Sequence, residues 1–467
     1  MNNSALPIIK ILPYQDPVVL FSHFANDDFS LFLDSSANTA GCGTVSVIAV
    51  KPFDTVICRN GLIETKAGFF AANPWDVLDR IYHDYQDNQS VIPGVFQGGL
   101  AGYLGYEMGN YLEVLPVAGT DDYNFPDCML GLYDLVMVFD RDKQTMTLVS
   151  QGWPETSLPQ RYAQAQARLA WLESQVARQL TKPAVPAVAY PRLDVIPCLS
   201  PENYSDLVKR AIEFIYAGDI FEVNLSQRFA ADLPEDFDFY ACYQALREVN
   251  PAPFSGFFRT REHCILSASP ERFLQLSQGH VITKPIKGTR RRSQSLLEDK
   301  ALAAELLASE KDRAENTMIV DLLRNDLAKV CEYASIAVTK LCALESFETV
   351  HHLVSTIVGK LRQGRSAIDL LKATFPGGSI TGAPKIRAME IITELEKVKR
   401  GPYCGSLGYI GFNGEMDLSI LIRSVFANKH KLYVQAGGAV VADSDPLAEC
   451  QETYAKAAAL LKVLSGK

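Results

Sequence analysis

The chain has 467 residues, of which 48% are hydrophobic, and this combination is enough to bury a large core. The formal net charge is −9, and no run of Lys or Arg is longer than the three at Arg290–Arg292. A nucleic-acid partner is not expected, because such proteins concentrate positive charge on one surface. The chain shows no leader-like start and no apolar stretch of about 18 residues, so we expect a cytoplasmic protein without a membrane span.

The first 190 residues are predicted to form strands, hairpins and two helices. Alternating apolar residues predict strands within residues 31–35, 44–68 and 130–152. Asn60 and Gly61 suit a tight hairpin turn within the second of these stretches. Helical periodicity predicts helices over residues 74–85 and 160–179. The proline-rich residues 181–197 then indicate a linker or a long surface connection.

Residues 194–467 alternate irregularly between strands and helices. Ser200 and Pro201 signal the start of a helix, and Gly218 signals its end. Strands are predicted over residues 221–229, 256–269 and 272–286. Further helices are predicted over residues 296–310, 312–330, 383–398 and 446–464. Strand pairs joined by short turns favour a mixed α+β fold over a regular parallel one, arranged as two segments, residues 1–190 and 194–467.

A glycine-rich turn at residues 375–382 precedes a helix whose first turn is expected to hold Pro384. Such a junction presents free backbone N–H groups and the positive end of a helix dipole, which suits a carboxylate. Gly377 and Gly382 have the spacing of a nucleotide-binding loop, but Ala383 and Pro384 replace the Lys and Ser/Thr that such a loop needs. An NTPase is excluded, and a capped helix after a turn is the simpler alternative.

Acidic residues occupy one face of each of two predicted helices. Asp312 and Glu315 are three residues apart, and Glu449, Glu452 and Lys456 follow i, i+3, i+7 spacing. Carboxylates from two facing helices form the hard oxygen site that Mg²⁺ prefers. Acids near helix starts also stabilise the helix dipole by about 0.3–1 kcal/mol each without any metal, so each set taken alone is more typical of an ordinary helix start than of a metal site.

Lys287 lies between a proline-led extended stretch and Gly288, and Glu271 lies upstream at the other end of a predicted hairpin. Burial in an apolar pocket lowers the pKa of a lysine and makes it a nucleophile, although a nearby ionised carboxylate opposes that shift. A single loop lysine is otherwise typical of a solvated surface charge.

Several motifs in the second segment, taken in order, resemble those of the chorismate-utilising enzymes over most of residues 194–467. They are SPERF, PIKGT, SEKDRAENTMIVDLLRNDLAKV, HHLVST, FPGGSITGAPKIRAMEII, YCGSLGY, DLSILIRS and QAGGAVVADSDP. The resemblance implies largely antiparallel sheets packed as a β-sandwich, with helices outside. Lys287 in PIKGT resembles the members that aminate chorismate at C4, whereas members that form anthranilate generally carry alanine there.

The resemblance also implies roles for individual residues. Mg²⁺ is expected at Glu315 and Glu452, with Asp312 and Glu449 nearby. Lys287 is expected to attack C2 of chorismate while Glu271 protonates the departing C4 hydroxyl, after which ammonia adds at C4. The implied substrate-binding positions are Thr289, His352, Ser379, Tyr403, Arg423, Gly438, Ala439 and Lys456. Ser35 matches a stretch that forms an effector pocket in anthranilate synthases.

The implied activity is a Mg²⁺-dependent amino transfer of the transaminase class, converting chorismate and ammonia to 4-amino-4-deoxychorismate for p-aminobenzoate and folate synthesis. The chain shows no convincing glutaminase triad, so a separate glutaminase subunit is the expected partner. The alternatives are an anthranilate synthase large subunit and a catalytically silent homologue that only binds a glutaminase. Two positions depart from the family pattern: Ala439 stands where glycine is expected, and Glu222 stands where Gln or Lys is usual.

Overall fold

The computed structural model of the protein describes residues 6–37, 43–87, 92, 94–117, 119–180, 190–348 and 350–466. Its strands within these ranges are β1 (Ile8–Pro13), β2 (Ser30–Asp34), β3 (Val45–Ala49), β4 (Asp54–Arg59), β5 (Leu62–Thr65), β6 (Gly68–Ala71), β7 (Gly99–Leu104), β8 (Cys128–Tyr133), β9 (Leu135–Asp140), β10 (Thr145–Ser150), β11 (Ile196–Pro197), β12 (Glu222–Asp232), β13 (Phe254–Arg259), β14 (Cys264–Ser269), β15 (Arg272–Ser277), β16 (His280–Thr283), β17 (Ile286–Arg291), β18 (Ala337–Ser346), β19 (Val350–Lys360), β20 (Gly382–Ala383), β21 (Ser406–Gly411), β22 (Met416–Ile420), β23 (Ser424–Ala427) and β24 (Lys431–Val440).

The α-helices in the same ranges are α1 (Pro17–Phe21), α2 (Pro74–Tyr85), α3 (Leu158–Leu180), α4 (Pro201–Tyr216), α5 (Phe239–Val249), α6 (Leu296–Ala308), α7 (Glu310–Ala328), α8 (Ala367–Thr374), α9 (Lys385–Glu396) and α10 (Pro446–Ser465). Short 3₁₀ helices occur at Tyr106–Tyr111, Tyr333–Ser335 and Gly378–Ile380.

The described strands form two antiparallel sheets of twelve strands each. The first sheet has the order β1-β10-β9-β3-β2-β13-β14-β23-β24-β12-β11, and β20 also pairs with β12. The second has the order β17-β19-β16-β15-β22-β21-β7-β8-β4-β5-β6, and β18 also pairs with β19. Long registers such as β12 against β24 fix which side chains of each strand face the site described below.

The two sheets pack face to face. Phe258 of the first sheet and Tyr103 of the second lie with their ring centroids 6.2 Å apart within one large apolar core. At Gly256, an added Cβ would lie 2.7 Å from Leu407 of the opposite sheet, so the sheets approach closely there. The outer face of the first sheet is covered by helices including α3, α5 and α10. The predicted α+β sandwich with helices outside is confirmed.

Both segments of the chain contribute neighbouring strands to both sheets. In the first sheet, β2 pairs with β13, and in the second sheet β7 pairs with β21. The predicted linker begins at residues 181–189, which lie outside the described residues, and ends at β11. No helix in the described ranges has the length and apolar character needed to cross a membrane.

Local sequence signals account for the predicted elements that the structure confirms. Ser200 caps α4 by accepting a hydrogen bond from the Asn203 N–H at 3.2 Å. Asn60 and Gly61 both adopt positive φ, 51° and 79°, and so form the tight turn between β4 and β5. All the predicted helices are present with ends shifted by a few residues.

The glycine-rich turn does not run directly into its helix, which corrects one expectation. Pro384 precedes α9 instead of lying in its first turn, and β20 separates the turn from the helix. The reason is sheet pairing: Gly382 pairs with Val223 on β12 at a φ of 146°. A Cβ on Gly382 would lie 2.2 Å from the carbonyl oxygen of Glu222, so glycine permits this contact.

Helix α10 carries three of the predicted site residues and depends on its N-terminal cap. Asp445 accepts hydrogen bonds from the N–H groups of Leu447 at 3.1 Å and Ala448 at 2.8 Å. We predict that Asp445→Ala lowers the free energy of unfolding by about 1 kcal/mol because these donors lose their acceptor. Urea denaturation checks this, with the exposed Asp443→Ala as control, and equal stability of the two variants would contradict it.

Candidate active site

A cavity of about 640 Å³ lies where β12 and β24 of the first sheet meet β17 of the second, bordered by α7 and α10. The predicted residues other than Gly438, Glu449 and Ser35 all line it. They are Glu271, Lys287, Thr289, Asp312, Glu315, His352, Ser379, Tyr403, Arg423, Ala439, Glu452 and Lys456. These residues are spread over nearly 190 positions of sequence and are brought together only by the fold.

Lys287 reaches the cavity from β17, at a bulge in its pairing with β19. Gly288 forms the bulge at a φ of 82°, and an added Cβ there would lie 2.9 Å from Asp312. The glycine therefore lets α7, which carries Asp312 and Glu315, approach the strand that carries Lys287. The side chain of Lys287 is only 8% exposed.

The amine of Lys287 is held by a carboxylate that the sequence did not identify as a site residue. Its Nζ donates to Oε1 of Glu222 at 2.6 Å, and Glu222 is fully buried. Burial lowers the pKa of Lys287, but the carboxylates of Glu222, Glu315 and Glu271 outweigh it and raise the pKa above its ordinary value. The lowered pKa expected for a nucleophilic lysine is therefore not found, because opposite charges surround the amine.

Glu271 follows β14 and is buried in the cavity wall. Burial raises its pKa to about 7, against the opposing effects of a hydrogen bond from Ser379 and the positive charge of Lys287. The Ser379 hydroxyl donates to Oε1 of Glu271 at 2.5 Å. A carboxyl group in this environment holds a proton near neutral pH and can donate it, as a general acid must.

The carboxylates of α7 and α10 differ in their environments. Burial raises the pKa of Glu315 to about 7, whereas Asp312 pairs with Arg290 at 3.3 Å. On α10, Glu452 pairs with Lys456 at 2.5 Å, and its pKa is lowered because nearby lysines outweigh the effect of burial. Glu449 accepts from the Ser444 hydroxyl at 2.7 Å through Oε1.

These acids fit a divalent cation only in part. Oε2 of Glu449 is buried without a hydrogen-bond partner, and it and Oε1 of Glu452 lie 3.1 and 3.4 Å from the place a Cβ on Gly438 would occupy. Within the described ranges, no three His, Cys, Asp or Glu side chains are close enough to hold an ion without rearrangement. Mg²⁺ commonly uses one or two carboxylates together with substrate oxygens and water, and this donor set fits that arrangement.

The cavity lining also includes a guanidinium and neutral hydrogen-bonding groups, from Arg423, His352 and Thr289. Arg423 adopts a φ of 51°, which is uncommon for a residue other than glycine and often occurs at functional sites. Burial lowers its pKa, yet its guanidinium stays charged and suits a carboxylate. His352 shares a 2.8 Å hydrogen bond with Thr289, and burial lowers its pKa to about 3, so its ring is neutral.

The remaining predicted residues are held by burial, by a hydrogen bond to the backbone or by strand pairing. Tyr403 is buried, and burial raises its pKa well above the ordinary value. Lys456 donates to the carbonyl oxygen of Gly437 at 3.0 Å, which fixes it beside β24. Gly438 and Ala439 pair with Leu225 and Asn224 of β12, so the substitution of glycine by alanine at position 439 leaves the sheet register intact.

Ser35 belongs to a different cavity, of about 230 Å³, which shares no lining residue with the first. Its hydroxyl donates to the carbonyl oxygen of Val45 at 2.7 Å. The second cavity also contains the carboxylates of Asp34 and Asp417 and the guanidinium of Arg272. The effector role of Ser35 stays a prediction.

Sequence reasoning missed other charged residues of the main cavity. Lys311 lies 3.7 Å from Glu449 and Arg290 lies 3.3 Å from Asp312, and each places a positive charge against the acidic helices. Lys311 and Glu449 are on different helices, so no local spacing links them. Glu222 was distinguished only as a departure from the family pattern, with no indication that it contacts Lys287.

Comparison with known proteins gives a consistent result. A sequence profile described as chorismate binding enzyme matches residues 31–462. The chain is 44% identical over 369 residues to aminodeoxychorismate synthase component 1 of Salmonella typhimurium (strain LT2), covering 79% of this chain and 77% of that protein. It is 38% identical over 465 residues to the protein of the same name from Klebsiella aerogenes, covering 98% and 99%. The crystal structure of anthranilate synthase component I from Streptococcus pneumoniae TIGR4 is 35% identical with a TM-score of 0.80, covering 90% of this chain and 92% of that one.

The environment of Glu271 predicts its titration. In ¹³C-glutamate-labelled protein, we expect a carboxyl signal that titrates with a midpoint of about 7 and that Glu271→Gln removes. Ser379→Ala shifts the midpoint higher, because the hydroxyl stabilises the ionised carboxylate. A midpoint near 4.5, or a downward shift in Ser379→Ala, would contradict this description of the pocket.

Proposed function

The chain belongs to the family of chorismate binding enzymes, and from that premise we propose that it aminates chorismate to 4-amino-4-deoxychorismate, in the synthesis of p-aminobenzoate and folate. The observation that carries the proposal is the buried amine of Lys287 in the wall of the large cavity, beside the proton donor Glu271. The relatives named aminodeoxychorismate synthase component 1 support the same activity.

Different residues of the cavity would bind the two carboxylates of the substrate. The guanidinium of Arg423 provides a charged hydrogen-bond donor for one carboxylate. Glu315 and Glu452 would hold Mg²⁺ with Glu449 and Asp312 nearby, and the bound ion supplies positive charge for the second carboxylate. The neutral ring of His352 adds a hydrogen-bonding group without further charge.

Covalent catalysis explains why a lysine is present in this wall. The Lys287 amine attacks C2 of the ring, the ring double bonds shift, and the C4 hydroxyl leaves as water with a proton from Glu271. Ammonia then attacks C4, the double bonds shift back, and the lysine amine leaves from C2. The lysine and the acid act from one cavity, and general acid catalysis contributes typically about 10²–10⁴-fold to such a step.

The ammonia source in this proposal is a separate glutaminase subunit. The term component 1 in the names of the relatives implies a second component for those proteins. Ammonium salts at mildly alkaline pH would supply the same nucleophile to this chain alone, and the whole reaction is then an amino transfer that requires Mg²⁺.

Anthranilate synthesis is the second candidate, and the structural similarity to an anthranilate synthase at a TM-score of 0.80 favours it. In that reaction ammonia adds at C2 and pyruvate is eliminated. Lys287 argues for the first candidate, because its amine occupies the cavity from which ammonia would have to attack directly.

Product analysis separates the candidates. With chorismate, Mg²⁺ and ammonium, we expect an aminated product that retains its pyruvyl group, detected by mass spectrometry, and no anthranilate fluorescence. Lys287→Ala is expected to lose at least about 10²-fold in rate because the covalent adduct cannot form. Lys284→Ala, between β16 and β17 and outside the cavity lining, should keep its activity. Fluorescent anthranilate with free pyruvate would establish the second candidate, and no consumption of chorismate would indicate a silent homologue.

The metal proposal has a test that does not depend on turnover. We expect isothermal titration of chorismate into EDTA-treated protein to show affinity at least about tenfold weaker than with added Mg²⁺, because one substrate carboxylate loses its counter-charge. Glu452→Gln should reduce this Mg²⁺ effect, whereas Glu332→Gln, remote from the cavity lining, should keep it. Equal affinity with and without Mg²⁺ would refute the metal assignment.

A further inference from the structure

The backbone of Glu222 is held by strand pairing and by a hydrogen bond at its neighbour. It is the first residue of β12, where it pairs with Ala383 of β20, and the neighbouring Phe221 N–H donates to the Ala383 carbonyl at 2.8 Å. Gly382 allows this close contact because a side chain there would collide with the Glu222 carbonyl. The next residue, Val223, pairs with Gly382 of β20 and with Val440 of β24, so the start of β12 is held by strands on both sides.

The side chain of Glu222 directs its two oxygens to very different surroundings. Oε1 accepts from Lys287 Nζ at 2.6 Å and from Asn224 Nδ2 at 3.3 Å. Oε2 is buried and has no hydrogen-bond partner among the described residues. A buried carboxylate oxygen without a hydrogen bond loses its hydration without compensation, so the position of this group depends on the contact between Oε1 and Lys287.

Lys287 must lose a proton before its amine can act as a nucleophile. The carboxylates around Lys287 favour the charged form. The charged groups that act on it are Glu222 from β12, Glu315 from α7, Glu271 after β14 and Glu452 from α10. Of these, Glu222 is hydrogen-bonded to the amine, whereas Glu271 is hydrogen-bonded to Ser379.

We propose that Glu222 is a further catalytic residue: it takes a proton from Lys287 before the amine attacks, stores it during the covalent stage and returns it when the lysine leaves. The inference rests on the proposed function, since it assumes the lysine adduct. Its geometric basis is the direct 2.6 Å contact between two almost fully buried groups.

The protons balance through the cycle. The pair begins as carboxylate and ammonium, and transfer leaves a carboxylic acid at Glu222 and a free amine at Lys287. Attack forms the C2–N bond and breaks the C4–O bond, with the hydroxyl leaving as water on the proton of Glu271. Ammonia then forms the C4–N bond, the neutral lysine amine leaves C2, and Glu222 returns its proton. The new ammonium group on the product releases a proton that restores Glu271.

The test is the rate of adduct formation in a single turnover with chorismate and Mg²⁺ but no ammonia, followed by rapid quench and intact-protein mass spectrometry. For Glu222→Gln, which keeps size and hydrogen bonding but cannot store the proton, we expect adduct formation about 10²-fold slower near pH 6.5. Between about pH 5.5 and 6.5, the rate of this variant should fall close to tenfold for each pH unit of decrease, because the Lys287 ammonium must lose its proton to solvent. The wild-type rate should stay nearly constant over the same range. Chorismate affinity should be unchanged.

The control is Asp326→Asn, which breaks a buried lysine–carboxylate pair with Lys385 away from the cavity and should keep the wild-type rate and pH profile. Glu222→Asp keeps the carboxylate and should keep the nearly constant profile at a lower rate, so it decides the question if Glu222→Gln does not fold. A wild-type rate and profile in Glu222→Gln, or a sloping profile in Glu222→Asp, would overturn the inference. Absence of adduct in the wild type would instead refute the proposed function.

Discussion

The ion pair between Lys287 and Glu222 joins the two sheets inside the protein, because Glu222 begins a strand of the first sheet and Lys287 lies on an edge strand of the second. Burying two opposite charges costs desolvation energy that their attraction offsets only in good geometry. Opposite charges also pair at other places around the cavity. Arg290 faces Asp312, Lys311 faces Glu449 and Lys456 faces Glu452, so few charges are left without an opposite.

Glu271, Glu315 and Arg423 are less completely neutralised by neighbouring charges, and they are the groups suited to catalysis. Glu271 is buried and Glu315 is partly buried, each with incomplete compensation of its charge, and the loss of hydration raises the pKa of each to about 7. Arg423 offers a partly buried guanidinium to an incoming anion. Perturbed groups of this kind gather at active sites because catalysis needs protons and charges that the protein has not already neutralised. Glycines at positions 288, 382 and 438 make the arrangement possible by letting backbone and side chains approach closely.

The sequence predicted the features that depend on neighbouring residues. The cap at Ser200, the turn at Asn60 and Gly61, and the single helical face of Glu449 and Glu452 follow from local rules and are present. The resemblance to a known family identified the cavity residues, but it did not predict the contact between Lys287 and Glu222. These residues are 65 positions apart on strands of different sheets, so no local pattern joins them. The direction of the lysine pKa was also not predictable, because it depends on carboxylates from several elements.

The covalent route requires the Lys287 amine to be the atom that bonds to the substrate. Peptide mapping by tandem mass spectrometry, after incubation of the protein with chorismate and Mg²⁺ without ammonia and a rapid acid quench, locates any covalent adduct on the chain. We expect a single modified residue, Lys287, with a mass increase equal to chorismate minus water that disappears when ammonium is added before the quench. A modification at another residue, or turnover of chorismate to the aminated product with no adduct at Lys287 at any time, would contradict it.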